Sequence, residues 1–126
     1  MEFLLAPDIQ TKVKQLVKKL SLDYLDVNSI VCFRSHGSSS RARARIWAFP
    51  RIWQIALRLK PHYCIEILAE KFDHLSANDQ LKVLIHELLH IPKNFSGSLI
   101  PHGTKRSHFV NNRSVERLWH DYCHSR

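Results

Sequence analysis

A chain of 126 residues with 19 Lys and Arg against 11 Asp and Glu carries a formal net charge of +8, and 44% of its residues are hydrophobic. With only three glycines and five prolines, that composition excludes a disordered polyelectrolyte, and at this length one domain can bury about two-thirds of the surface its unfolded form exposes. No apolar run approaches membrane-spanning length, and "MEFLLAPDIQ" lacks the basic start of a signal peptide, so a soluble, cytoplasmic protein with no membrane partner is expected.

From Asp8 onward Ile9, Val13, Leu16, Val17 and Leu20 recur at helical spacing, with four lysines on the other side and Asp8 as the expected N-cap. "SIVCFRS", residues 29–35, is short and β-branched. The polar "HGSSSRA" after it reads as a turn or hairpin loop leading to a second strand, "RARIWAF", residues 43–49. Pro50 suits a first helical turn, and Ile52, Trp53, Ala56 and Leu57 predict a short helix over residues 50–59. "HYCIEILA", residues 62–69, alternates as a third strand. "SANDQLKVLIHELLHI" then begins with Ser76 and Asp79 in capping-box relation and runs as an apolar helix until Pro92 stops it. A loop follows, with Gly97 and Gly103 as its flexible points. Val115, Leu118, Trp119 and Tyr122 mark a closing helix. These elements predict a single α+β domain over residues 1–126: a small sheet packed on a central helix, with further helices at both ends.

The central helix carries "HELLH". His86 and His90, four apart, project from one face and can share one metal ion, and Glu87 beside the first histidine can act on a water held there. Catalytic zinc commonly keeps three protein ligands, so a third donor must return from beyond Pro92. His102 leads, because the loop is long enough to fold back and Gly103 relaxes the backbone beside it. His108 and Glu116 are the alternatives. An oxyanion formed at such a site needs a further donor, for which His108, Arg106 and Arg113 are in sequence reach.

"VLIHELLHIP", "FSGSLIPHG" and the upstream "AFPRIWQIALRLKPHYCIEILAEKFDHLS" resemble the family of putative metallopeptidase domains known from archaea and phages, across roughly residues 28–122. At superfamily level the chain resembles the zincins, and "HELLH" followed by "HG" is similar to the SprT-like proteases that clear DNA–protein crosslinks. The resemblance implies a zincin-like fold and a Zn2+-dependent peptidase, with His86, His90 and His102 as metal ligands and Glu87 as the catalytic residue. It implies a peptide or protein substrate. A strand lying beside the motif helix as a sheet edge would take that substrate by strand addition, and "HYCIEI" is the expected strand.

Two other readings use the same residues. A three-histidine ribonuclease suits the positive charge, but such sites lack a glutamate after the first histidine. A nucleic-acid-binding module with a purely structural metal requires a fourth protein ligand. The basic segments "TKVKQLVKK" and "RSHGSSSRARAR" make nucleic acid a second expected partner of an otherwise monomeric protein. Cys32, Cys64 and Cys123 sit among apolar neighbours and are expected to be buried, reduced thiols. His120 and His124 read as a solvated pair, and Trp47, Trp53 and Trp119 as core or hinge aromatics.

Overall fold

The computed structural model describes residues 1–103 and 110–125, so His108 and Arg106 lie outside the described residues. Four strands form one mixed sheet: β1 (Glu2–Leu5), β2 (Ile30–His36), β3 (Ala44–Trp47) and β4 (Tyr63–Leu68), in the spatial order β1-β2-β4-β3. β4 runs parallel to β2 and antiparallel to β3, with Ile65 registered against both Cys32 and Ile46. Two sequence expectations change as a result. β2 and β3 form no hairpin, because β4 lies between them. β4 also has both backbone edges occupied, so the strand expected to receive a peptide is interior, and β3 is the edge beside the motif helix.

Period-two alternation assigns the two faces of the sheet. Ile30, Cys32, Ala44, Tyr63, Ile65 and Ile67 belong to the buried core. Helix α1 (Pro7–Lys19) adds Ile9, Val13, Leu16 and Val17, and helix α4 (Ala77–Leu89) adds Leu84, Ile85 and Leu88. Side chains of opposite parity gather around Glu66. Its buried carboxylate accepts hydrogen bonds from Ser35 Oγ (2.6 Å), Arg45 Nη2 (3.0 Å) and Trp47 Nε1 (3.0 Å). Burial pushes the Glu66 carboxyl up, but the bonds from Arg45, Ser35 and Trp47 outweigh it and leave the group below its ordinary value.

Helix boundaries follow local chemistry. α1 starts one residue before the expected cap: Pro7 occupies its first turn, where no N–H is needed, and Ala6 is the cap residue. Asp8 lies inside that turn and is paired with Arg34 at 2.9 Å. At α4 the Ser76 side chain accepts the Asp79 N–H, as the capping pattern requires. Helix α5 (Asn112–His124) has a complete capping box between Asn111 and Ser114 and packs Val115 into the core. Helix α3 (Ala69–Phe72) is a single turn that buries Phe72.

Burial departs from expectation at several side chains. Cys32 is buried, and desolvation pushes its thiol up to about 12, but Cys64 is half-buried and Cys123 is exposed, off the apolar stripe of α5. Trp119 packs partly against the core, whereas Trp47 and Trp53 stand in solvent. Trp53 belongs to helix α2 (Arg51–Leu57), which forms where the apolar spacing predicted it but buries only Gln54.

Candidate metal centre

The second histidine of "HELLH" occupies the C-cap of α4 with its backbone still in the right-handed helical region, so Pro92 ends the helix just beyond the motif. The chain then returns over the helix end. Ile100 donates its N–H to the His90 carbonyl at 2.7 Å, while His90 Nδ1 sits 2.5 Å from the Ile100 carbonyl. A carbonyl can only accept, so Nδ1 carries the proton and donates. That fixes the tautomer and leaves a lone pair on Nε2.

Further partners hold the returning segment from below. Gly97 (φ +95°) donates to the Tyr63 hydroxyl at 2.8 Å, and that hydroxyl donates to the Ser98 carbonyl at 2.8 Å. Gln54 Nε2 reaches the carbonyls of Phe49 and Ser96, each at 2.8 Å. A Cβ on Gly97 would collide with the Phe49 carbonyl and the Gln54 amide, so both the backbone angle and the space require glycine there. The glycine expected to free the backbone, Gly103, is instead held at both ends. Its N–H donates to Val110 (3.1 Å), and its carbonyl accepts from Asn111 Nδ2 (2.7 Å), next to the cap of α5.

These ties bring His102 over the pair on α4. Nε2 of His102 lies 2.8 Å from Nε2 of His86 and 3.1 Å from that of His90, and the two α4 nitrogens are 3.4 Å apart. Among the described residues this trio is the one group of three that could hold a metal ion. Its chemistry fits a cation. Burial, then the neighbouring charges of His90 and His102, push His86 down to about 4, and burial lowers His90 as well. The α4 imidazoles are therefore neutral at neutral pH. Their converging lone pairs repel each other unless a proton or a cation lies between them. Tetrahedral ligands about 2.0–2.1 Å from zinc are separated by about 3.3 Å, close to the spacing found.

Glu87 is buried, and desolvation raises its carboxyl to about 7. With His86 and His102 it lines a cleft of about 530 Å³, which Arg41 to Arg43 and Ala44, the first residue of β3, also line. Glu116 also lines this cleft but pairs with Lys82 at 3.0 Å and stands apart from the histidine trio. Arg113 is exposed in the first turn of α5 and does not line the cleft. His120 and His124 lie with ring centroids 4.1 Å apart and planes tilted by 31° at the exposed end of α5, away from the trio.

Sequence reasoning missed the parts that hold the third histidine: Gln54, Tyr63, Ile100 and Asn111. The one local signal was Gln54, a lone amide in an otherwise apolar and basic helix. No curated protein and no solved structure matches the chain. A family model described as "Putative phage metallopeptidase" matches residues 1–125, and with a site of three convergent imidazoles beside a buried glutamate, the chain belongs to that metallopeptidase family.

Proposed function

We propose that the protein is a zinc-dependent peptidase in which His86, His90 and His102 hold the metal and Glu87 is the catalytic residue. The observation that carries this reading is the convergence of three Nε2 atoms within 3.4 Å of one another, with His86 and His102 on the wall of the cleft that Glu87 shares. Zinc suits a donor set made of neutral imidazoles alone, and three ligands leave a position open for exchange. The bound ion supplies Lewis acidity, making a water more acidic and a peptide carbonyl more electrophilic.

The chain's own groups do the rest. Glu87 takes a proton from the attacking water as the new C–O bond forms, and returns it to the amine nitrogen as the C–N bond breaks. Its desolvated carboxyl, with a pKa near neutrality, is suited to hold and release that proton. His90, fixed by Ile100, keeps its lone pair on the metal side. An extended peptide fits along β3, whose outer edge pairs with no other strand among the described residues and whose first residue, Ala44, lines the cleft together with Arg41 to Arg43 before it. The glutamate beside the first histidine favours peptide hydrolysis over a three-histidine ribonuclease. Three free thiols suit a reducing compartment such as the cytoplasm.

Metal analysis of the purified chain, paired with a casein and peptide-library digest of wild type against Glu87→Gln, tests the proposal. About one zinc per chain in both proteins, with hydrolysis lowered by roughly 10³-fold or more in the variant, is expected. Equal hydrolysis by the two would refute the mechanism.

A further inference from the structure

Helix α2 turns its apolar side chains outward. Ile52 is 74% exposed, Trp53 55%, Ile55 65% and Leu57 53%, while Gln54 faces the fold and ties the helix to the Phe49 and Ser96 carbonyls. Arg58 ends the helix in the left-handed conformation (φ 56°), and Leu59, 49% exposed, extends the apolar tip. At about 100° per residue, the outward side chains from Ile55 through Ile52 to Leu57 cover an arc of about 200°. Arg51 falls between the anchored Gln54 and Ile55 around this knob, and Arg58 follows the last turn; both are exposed.

The shape and the charge select among possible partners. A helix that docks in a protein groove presents an apolar stripe of about 100°, with its remaining faces polar. An arc about twice as wide on a convex projection leaves much of its apolar surface wet in any single groove. A second copy would bring the same arginines together and add to the repulsion between two chains of net charge +8. A bilayer interface surrounds a projection on every side, accepts Trp, Ile and Leu among its acyl chains, and supplies phosphates for the exposed arginines at the two ends of the helix. No helix among the described residues is long and apolar enough to cross a membrane, and interfacial docking needs none.

We propose that α2 is a peripheral docking element for an anionic lipid surface, inserting Ile52, Trp53, Ile55 and Leu57 while Arg51 and Arg58 meet the lipid phosphates. This assignment is independent of the peptidase reading. It is tested by floating the full chain with neutral phosphatidylcholine vesicles and with vesicles that also contain phosphatidylglycerol, at low and high salt. Quenching of tryptophan emission by brominated lipid reports insertion. Wild type is expected to bind the anionic vesicles preferentially, to release as salt rises, and to be quenched. Ile52→Ser with Ile55→Ser lowers partitioning by about tenfold or more. Arg51→Gln with Arg58→Gln removes the preference for anionic lipid, and Trp53→Ser removes most of the quenching. These side chains are exposed, so circular-dichroism melting should show every variant folded. Absence of binding to anionic vesicles, or binding unchanged by the α2 substitutions, overturns the proposal. So does a concentration-dependent dimer, seen by sedimentation velocity without vesicle binding and abolished by the same isoleucine substitutions, which would assign the knob to a second copy.

Discussion

Helix α4 buries Leu84, Ile85 and Leu88 almost completely, whereas α2 leaves Ile52, Trp53, Ile55 and Leu57 in solvent although its sequence is just as apolar. At both helices a buried polar residue, the C-cap of α4 and the middle of α2, serves the same corner of the fold. His90 of α4 clasps Ile100, and Gln54 of α2 clasps Phe49 and Ser96, on either side of Gly97. The contrast separates two inferences that a hydrophobic pattern tends to merge: apolar recurrence argues for a helix, but only its neighbours decide which face is covered. α4 lies between the sheet, α1 and α5, while α2 lies in the connection between the antiparallel neighbours β3 and β4, and no element among the described residues covers its outer face.

Substitutions can break this comparison, and the site end should give the largest effect. His102→Ala is expected to weaken zinc binding by more than the roughly 10- to 100-fold typical of losing an outer positioning partner, whereas Glu116→Ala, which loses only its pair with Lys82, should stay within that range. Competition with a chelator measures both. Zinc held tightly in His102→Ala and lost in Glu116→Ala would move the third ligand to the carboxylate.

Next come the shared ties under the loop. Gly97→Ala forces a Cβ into the Phe49 carbonyl at a left-handed backbone position and is expected to cost about 2–4 kcal/mol in urea unfolding. Gln54→Ala, which strips a donor from two carbonyls, should cost about 1–3 kcal/mol. If Gln54→Ala proved neutral, α2 would be tethered by something other than its amide.

A weaker effect lies in acid. Glu66 has a folded value below its ordinary 4.5, so its contribution to stability is present above that pH and is lost as pH falls through the folded value. Unfolding midpoints followed from about pH 6 to about pH 3 should therefore drop, and drop less in Glu66→Gln. Asp8, also lowered by its hydrogen bond to Arg34, accounts for part of the slope that remains. A variant slope identical to wild type would mean that the Glu66 cluster does not set acid stability.

The smallest change sharpens the contrast from the other side. Ile52→Ser on α2 should alter unfolding free energy by less than about 0.5 kcal/mol, as an exposed substitution does. A loss as large as that expected for a core isoleucine would show that the helix is covered in solution.

The sequence made the helices legible wherever spacing and caps agreed: Ser76 before α4, Pro92 after it, Pro50 before α2. The histidine spacing was equally readable, since i and i+4 residues share a helix face regardless of what surrounds the helix. Strand partners were not, because alternation in "RARIWAF" and "HYCIEILA" describes faces and says nothing of order across a sheet. β1 escaped notice because all four of its residues are exposed, and what marks it as a strand is its pairing with β2. The geometry that seats His102 depends on side chains 34 to 42 positions away, Tyr63 on Gly97 and Gln54 on Ser96, a separation that no local pattern encodes.

The double tie between His90 and Ile100 makes one residue both buckle and ligand candidate. The two residues are ten apart, so opening the ring between them, once the Tyr63 and Gln54 ties also let go, releases a closure entropy of about (3/2)RT ln n, on the order of 2 kcal/mol. The same opening frees Nδ1 of His90 to exchange its proton with Nε2, which would turn a donor N–H toward the place where a lone pair is required. Slack in the loop and the wrong tautomer are thus coupled, and a cation entering the trio would latch the backbone as well as the imidazoles.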